Sequence, residues 1–220
     1  MMKNKPLIEA PAPWSLMGHG YVVLVRFDPG FVADQGFVPE PLKGLFSGGF
    51  GTIMYVDYLS SDVGPYKELL FIPGLFAFGR KRYYSITKIY VSTEDSVVNG
   101  RNNWGIPKEL SDFEVIRDQR TEIIRMSRGN RPCVELHFRS LPCSLPVTTA
   151  LIPAGLRTLA HHHDGRTYLT TPRARGVVSP AHLTHALIDG SAFPDFNLGR
   201  ILCSVSIPHF FMTFPRARIL

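Results

Sequence analysis

YYSITKIYV, residues 83–91, alternates along its length in the manner of an extended chain. Successive side chains of a strand point to opposite faces, so Tyr83, Ser85, Thr87, Ile89 and Val91 share one face and Tyr84, Ile86, Lys88 and Tyr90 the other. Most of these residues are β-branched or aromatic, types that suit a pleated, half-buried surface. The reading is a strand over 83–91. Working outward, comparable runs occupy residues 21–27 (YVVLVRF), 52–59 (TIMYVDYL), 121–127, 133–139, 175–179 and 201–207, separated by Gly and Pro. That punctuation is the pattern of a sandwich or barrel. Helical signals are short, the best being residues 30–37 behind an Asp28-Pro29-Gly30 start. The 18 prolines break up long helices and edge strands alike. Residues 142–153 read as a loop between an early and a late group of strands. Without an internal repeat or a dividing linker, the expectation is one mainly β domain over residues 1–220.

Composition narrows the function classes. Among 220 residues, 45% are hydrophobic and 19% charged, enough apolar matter for a sizeable core. The formal charge of +6 raises a nucleic-acid partner, but the cations are scattered. Arg80-Lys81-Arg82 and the Arg173, Arg175 pair form neither a stripe nor a known module, so no nucleic-acid binding is expected. Cys133, Cys143 and Cys203 have no paired or metal-like spacing, which fits a reducing compartment. In residues 1–18, Glu9, Pro6, Pro11 and Pro13 interrupt any apolar run beside Lys3 and Lys5, so no signal peptide is expected. With no stretch of membrane-spanning length, the expected location is cytoplasmic, with no membrane partner.

One segment carries chemistry: Gly100-Arg101-Asn102-Asn103-Trp104-Gly105-Ile106-Pro107-Lys108-Glu109-Leu110. Pro107 fixes its own backbone angle and restricts its neighbour, which presents Lys108 from a rigid position. A lysine attacks carbonyl carbon only as the neutral amine, a form that apolar surroundings such as Trp104 and Ile106 favour. Other constellations point elsewhere. Adjacent histidines diverge on a regular backbone, so His161-His162-His163 reads as an exposed loop. His182 and His185 could share a helical face but lack a carboxylate in register, and no metal site is expected. Ser47-Gly48-Gly49-Phe50-Gly51 lacks the lysine and helix of a phosphate loop and reads as a flexible loop at a pocket mouth.

Three segments together resemble the acetoacetate decarboxylase-like superfamily. Val38-Pro39-Glu40-Pro41-Leu42 is similar to that family's proline-glutamate-proline turn. Val63-Gly64-Pro65-Tyr66-Lys67-Glu68 is similar to its glycine-x-tyrosine-x-glutamate stretch, and Gly100-Arg101 with Gly105-Ile106-Pro107-Lys108 resembles its Schiff-base segment. Phe214-Pro215-Arg216-Ala217 extends the likeness to the end of the chain. The resemblance implies a double-sheet β-barrel or sandwich with a few short helices around an apolar cavity. It makes Lys108 the imine-forming residue, Glu68 the proton-handling acid, and Tyr66 and Trp104 substrate contacts. It implies a lyase that needs no cofactor and acts on a keto acid or polyketide-like carbonyl compound, as a decarboxylase or as an aldolase-dehydratase or cyclase of specialised metabolism. A non-catalytic barrel for apolar ligands is the competing expectation, and the family's habit of assembly implies a homo-oligomer. Two departures bear on the site. His19 stands where the family's decarboxylases place an arginine for the substrate carboxylate, a role that Arg101 could take instead. Glu109 follows Lys108 where those enzymes carry a second lysine; facing the pocket it would favour the ammonium, on an extended backbone it would point away, and the sequence leaves both placements open.

Overall fold

A computed structural model describes residues 8–220; Lys3, Lys5 and Pro6 of the amino-terminal reading lie outside them. The early strands are β1 (Trp14–Arg26), β2 (Gly51–Ser60), β3 (Tyr66–Ile72), β4 (Leu75–Phe78), β5 (Lys81–Tyr84), β6 (Lys88–Val91), β7 (Lys108–Leu110) and β8 (Asp112–Asp118). The later ones are β9 (Thr121–Arg128), β10 (Arg131–Ser140), β11 (Leu145–Thr148), β12 (Leu159–His163), β13 (Arg166–Thr170), β14 (Arg173–Ile188), β15 (Arg200–Phe214) and β16 (Arg218–Ile219). Among the described residues the α-helices are α1 (Pro29–Gln35) and α2 (Glu94–Trp104), alongside four short 3-10 turns. The large sheet runs β7-β6-β3-β2-β1-β15-β14-β10-β9-β8 with β11 on β14, and the small sheet runs β16-β13-β12-β5-β4. The expected mainly β class is what the chain adopts.

Period-2 alternation gives the large sheet two apolar faces. Tyr21, Val23, Val25, Ile53, Tyr55, Leu69 and Phe71 pack with Leu136 and Phe138 of β10 into one core. Val56, Tyr58, Tyr66, Leu70, Ile89 and Val91 point the other way, into a second core with Trp104 of α2 and Phe214 of β15. Strands buried on both faces read as nearly continuous apolar runs, which is why TIMYVDYL looks so dense.

The opening segment differs from its reading. Residues 83–91 are not one strand: β5 ends at Tyr84 in the small sheet and β6 begins at Lys88 in the large one. The crossing is pinned by Ile86 N–H donating to His161 Nε2 at 3.2 Å and by Thr87 Oγ1 donating to the Gly36 carbonyl at 2.6 Å. Ser85, Ile86 and Thr87 are all buried, so alternation stops there. The histidine run is not an exposed loop either. It lies in β12, with His161 buried and His162 exposed, and burial lowers the His161 pKa to about 3. Residues 142–153 contain β11 and a 3-10 turn at Thr149–Leu151 in place of a plain loop. His182 and His185 lie on β14, not on a helix.

Helix α1 falls where expected, with the Asp28 carboxylate capping Gly30 N–H at 2.8 Å. Helix α2 was not read from the sequence, although its end signals are present. Thr93 stands at the N-cap, Glu94 and Asp95 fill the first turn, Arg101 the last, and Gly105 closes it at φ 64°. Its body is too polar to show an apolar stripe. Asn99 and Asn103 anchor it by bonding the backbone of residues 8–12 from their side-chain amides.

Candidate active site

Strand register builds the centre. β7 lies parallel to β6, with Ile89 opposite Lys108, and β6 lies antiparallel to β3, with Glu68 opposite Val91 and Leu70 opposite Ile89. Lys108 and Glu68 therefore emerge on the same face of the sheet, one row apart. The Lys108 Nζ sits 2.9 Å from Glu68 Oε2 and 3.0 Å from Ser96 Oγ, with Tyr66 Oη at 3.4 Å. Those three partners match the three hydrogens of an ammonium. Tyr58 donates to the other Glu68 oxygen at 3.3 Å. Burial, followed by the Glu68 charge, holds both Tyr58 and Tyr66 well above the ordinary phenol range, so both remain proton donors.

The chain leading into β7 is shaped around this lysine. Gly105 takes the left-handed conformation that ends α2, and Lys108 N–H donates to the Ile106 carbonyl at 2.8 Å. Arg101 donates from its guanidinium to the Lys108 carbonyl. Gly100 is the close approach: a Cβ there would come within 2.6 Å of Lys108 Cδ and 2.9 Å of Cε. Ser96 and Gly100 are four residues apart and so face Lys108 together.

Lys108 and Glu68, only 3% and 4% exposed, line a cavity of about 490 Å³. Tyr66 and Trp104 line it too, and Trp104 donates its indole N–H to the Pro215 carbonyl at 2.7 Å. The remaining sequence candidates lie elsewhere. Glu109 points away from Lys108 and pairs with Lys88 Nζ at 2.6 Å. Arg101 is exposed and grips backbone rather than lining the cavity. His19 lies on the opposite face of the sheet. There, Arg117 binds it and also the buried carboxylates Asp57 and Glu122 at 2.6 and 3.1 Å. Burial and the Arg117 charge hold the His19 imidazole below its usual pKa, so it is no stand-in for a carboxylate-binding arginine. The glycine-rich loop does not frame the mouth; exposed Val147 and Ile152 do, while Ser47 and Gly48 exchange backbone bonds with Leu75.

Sequence reading missed Ser96, Gly100 as a contact to the lysine stem, and Tyr58. The α2 end signals could have located the first two, whereas Tyr58 needs the β2–β3 register, in which it opposes Tyr66. Away from this centre, Glu135, His137 and His185 bring ligand-type atoms within 4.8 Å of one another on the β10–β14 pair. Glu135 is already held there by Arg125 at 2.7 Å and by His137 at 2.6 Å. All three cysteines are free, and among the described residues no helix is long and apolar enough to cross a membrane.

Comparison with known proteins agrees with this architecture. The family profile described as acetoacetate decarboxylase matches residues 4–168. A curated relative, decarboxylase DEC1 of Cochliobolus heterostrophus, is 26% identical over 145 residues, which are 62% of this chain and 56% of that protein. The chain thus spans little more than half the length of that relative. Among solved structures, an acetoacetate decarboxylase-like enzyme from Sphingomonas wittichii RW1 superposes with TM-score 0.70 at 14% identity, over 96% of this chain and 94% of its own. The enduracididine biosynthesis enzyme MppR in complex with pyruvate superposes with TM-score 0.65 at 16% identity, over 96% and 91%.

Proposed function

This chain belongs to the acetoacetate decarboxylase family, and on that premise we propose that it is a lyase whose Lys108 forms an imine with a keto acid or related carbonyl compound. The observation that carries this reading is the Lys108 amine at 2.9 Å from Glu68, buried at the inner end of an apolar cavity. Glu68 takes a proton from the ammonium, and the neutral amine attacks the ketone carbon. The carbonyl oxygen, protonated in turn, leaves as water, and a protonated imine remains. In a β-keto acid this cation accepts the electron pair of the bond to the carboxylate carbon; carbon dioxide departs and an enamine is left. Glu68 or Tyr66 protonates the enamine carbon, and water then releases the ketone and restores Lys108.

Among the described residues that line the cavity, the cations besides Lys108 are Arg157 and Arg175, both at its outer end. A substrate carboxylate at the inner end therefore has only the imine cation as counter-charge. A carboxylate in apolar surroundings without a protein cation of its own is costly, and departure as carbon dioxide removes that cost. The same lack of a second cation favours an alternative on the same imine: aldol addition and dehydration of a carbonyl compound that carries no carboxylate. Assembly with copies of itself belongs to this reading too, and exposed Leu187, Leu198 and Phe211 are apolar surface it would cover.

Borohydride reduction in the presence of candidate ketones, followed by mass spectrometry, tests the proposal. A reduced adduct on Lys108 that is absent in Lys108→Ala is the expected result. Failure to trap any member of a broad ketone panel would favour a non-catalytic binder, and carbon dioxide release from β-keto acids separates decarboxylation from aldol chemistry.

A further inference from the structure

The cavity is far longer than the reacting centre needs. Its lining crosses the large sheet from strand to strand: Met54 on β2 opposes Val22 on β1, Gly20 on β1 opposes Ile207 on β15, Phe210 on β15 opposes Gly176 on β14, and Gly176 opposes Val147 on β11. Four strand spacings of ~4.8 Å make this arm about 19 Å along the sheet. Lys108, Glu68, Tyr58 and Tyr66 gather at one end, and exposed Val147 and Ile152 mark the other. Between the ends the lining side chains are apolar, and Gly20 and Gly176 present none, which leaves width. A volume of about 490 Å³ lies within the ~300–1,000 Å³ typical of sites for drug-sized ligands, well beyond the needs of a four-carbon acid.

Resting on the imine reading above, we propose that this arm is an acyl-chain subsite, and that the substrate class is a medium- to long-chain β-keto acid whose hydrocarbon tail lies along Met54, Val22 and Ile207. A polar tail would forfeit its hydrogen bonds to water there without replacement, whereas a hydrocarbon tail gains by leaving water. The ketone at the third carbon meets Lys108, the carboxylate stays at the inner end, and the tail points toward Val147. The reaction itself is unchanged: the bond between the second carbon and the carboxylate breaks, and a methyl ketone and carbon dioxide leave.

A chain-length series decides it. Acetoacetate, 3-oxohexanoate, 3-oxooctanoate and 3-oxodecanoate are compared by borohydride trapping on Lys108 and by kcat/KM, after subtraction of spontaneous decarboxylation. Each methylene buried in the arm is expected to raise kcat/KM about four-fold, from ~0.8 kcal/mol per CH₂, with 3-oxodecanoate at least ~100-fold above acetoacetate by the same measure. Ile207→Trp, which obstructs the arm at mid-length, is expected to collapse that ratio. A flat series with adducts at every length overturns the acyl-chain subsite and leaves the imine reading intact. Should no member give an adduct, the imine reading fails, and quenching of tryptophan fluorescence by the same acids then judges the arm alone. Affinity that climbs with chain length supports the subsite, and length-independent or absent quenching overturns it.

Discussion

At the scale of single residues, space and charge around one amine are tightly constrained. Gly100 lies in a helix, where alanine is ordinarily preferred by about 1 kcal/mol. Here a methyl group would meet the Lys108 stem at 2.6 Å. Gly100→Ala is therefore expected to move the amine and cut imine trapping at least ten-fold, while the circular dichroism spectrum stays that of the wild type. Equal trapping would show that the stem can yield. The Lys108–Glu68 pair makes a stability prediction as well. Removing one partner of a buried pair leaves the other uncompensated, at roughly 3 kcal/mol, whereas replacing both with neutral residues of similar volume is close to neutral. Lys108→Met should thus lower the urea midpoint more than Lys108→Met with Glu68→Gln, and additive losses would refute the coupling. Glu109, tied to Lys88 on the far face, should be dispensable: Glu109→Ala is expected to leave the pH dependence of trapping unmoved.

At the scale of elements, the small sheet carries a pH-sensitive feature. His161 accepts Ile86 N–H in the interior, and burial brings its pKa down to about 3 from an ordinary value of 6.5. Above pH 6.5 the imidazole is neutral in folded and unfolded chains and contributes no pH dependence. Below it the unfolded chain gains a proton that the folded chain refuses, so stability falls with pH, by about 2 kcal/mol at pH 5. His161→Gln keeps an acceptor for Ile86 and removes the titration. The loss of urea midpoint between pH 7 and pH 5 should be smaller in the variant than in the wild type; identical losses would assign the pH dependence to other groups. The segment that crosses from one sheet to the other explains why this histidine is buried at all, since residues 85–87 thread beside it.

At the scale of the whole molecule, closure of the large sheet depends on a seam. Arg117 on the edge strand β8 reaches Asp57 of β2 and His19 of β1 as well as Glu122 of neighbouring β9, joining the β8 edge to mid-sheet strands that are remote from it in strand order. Asp57 and Glu122 are buried there, while Arg117 is half-exposed. Arg117→Met leaves two carboxylates with weakened compensation. Allowing for the exposure of the guanidinium, a loss of about 2 kcal/mol is expected in denaturant unfolding. A loss below about 0.5 kcal/mol, the usual size for a surface substitution, would show that the seam is incidental.

Alternation and Gly/Pro punctuation determined the mainly β class, because side-chain direction in a strand is a local property that repeats every two residues. Motif likeness in 63–68 and 100–108 brought Glu68 and Lys108 forward as candidates. Whether those two side chains meet was beyond local reading: Glu68 and Lys108 stand 40 positions apart, and their contact depends on β3, β6 and β7 lying side by side in one register. The same holds for Glu109 turning to Lys88, for His19 joining the Arg117 seam, and for the break at residues 85–87. Each follows from which strand becomes whose neighbour, and that choice is made by long-range burial of both faces of a sheet, a quantity no short window of sequence contains.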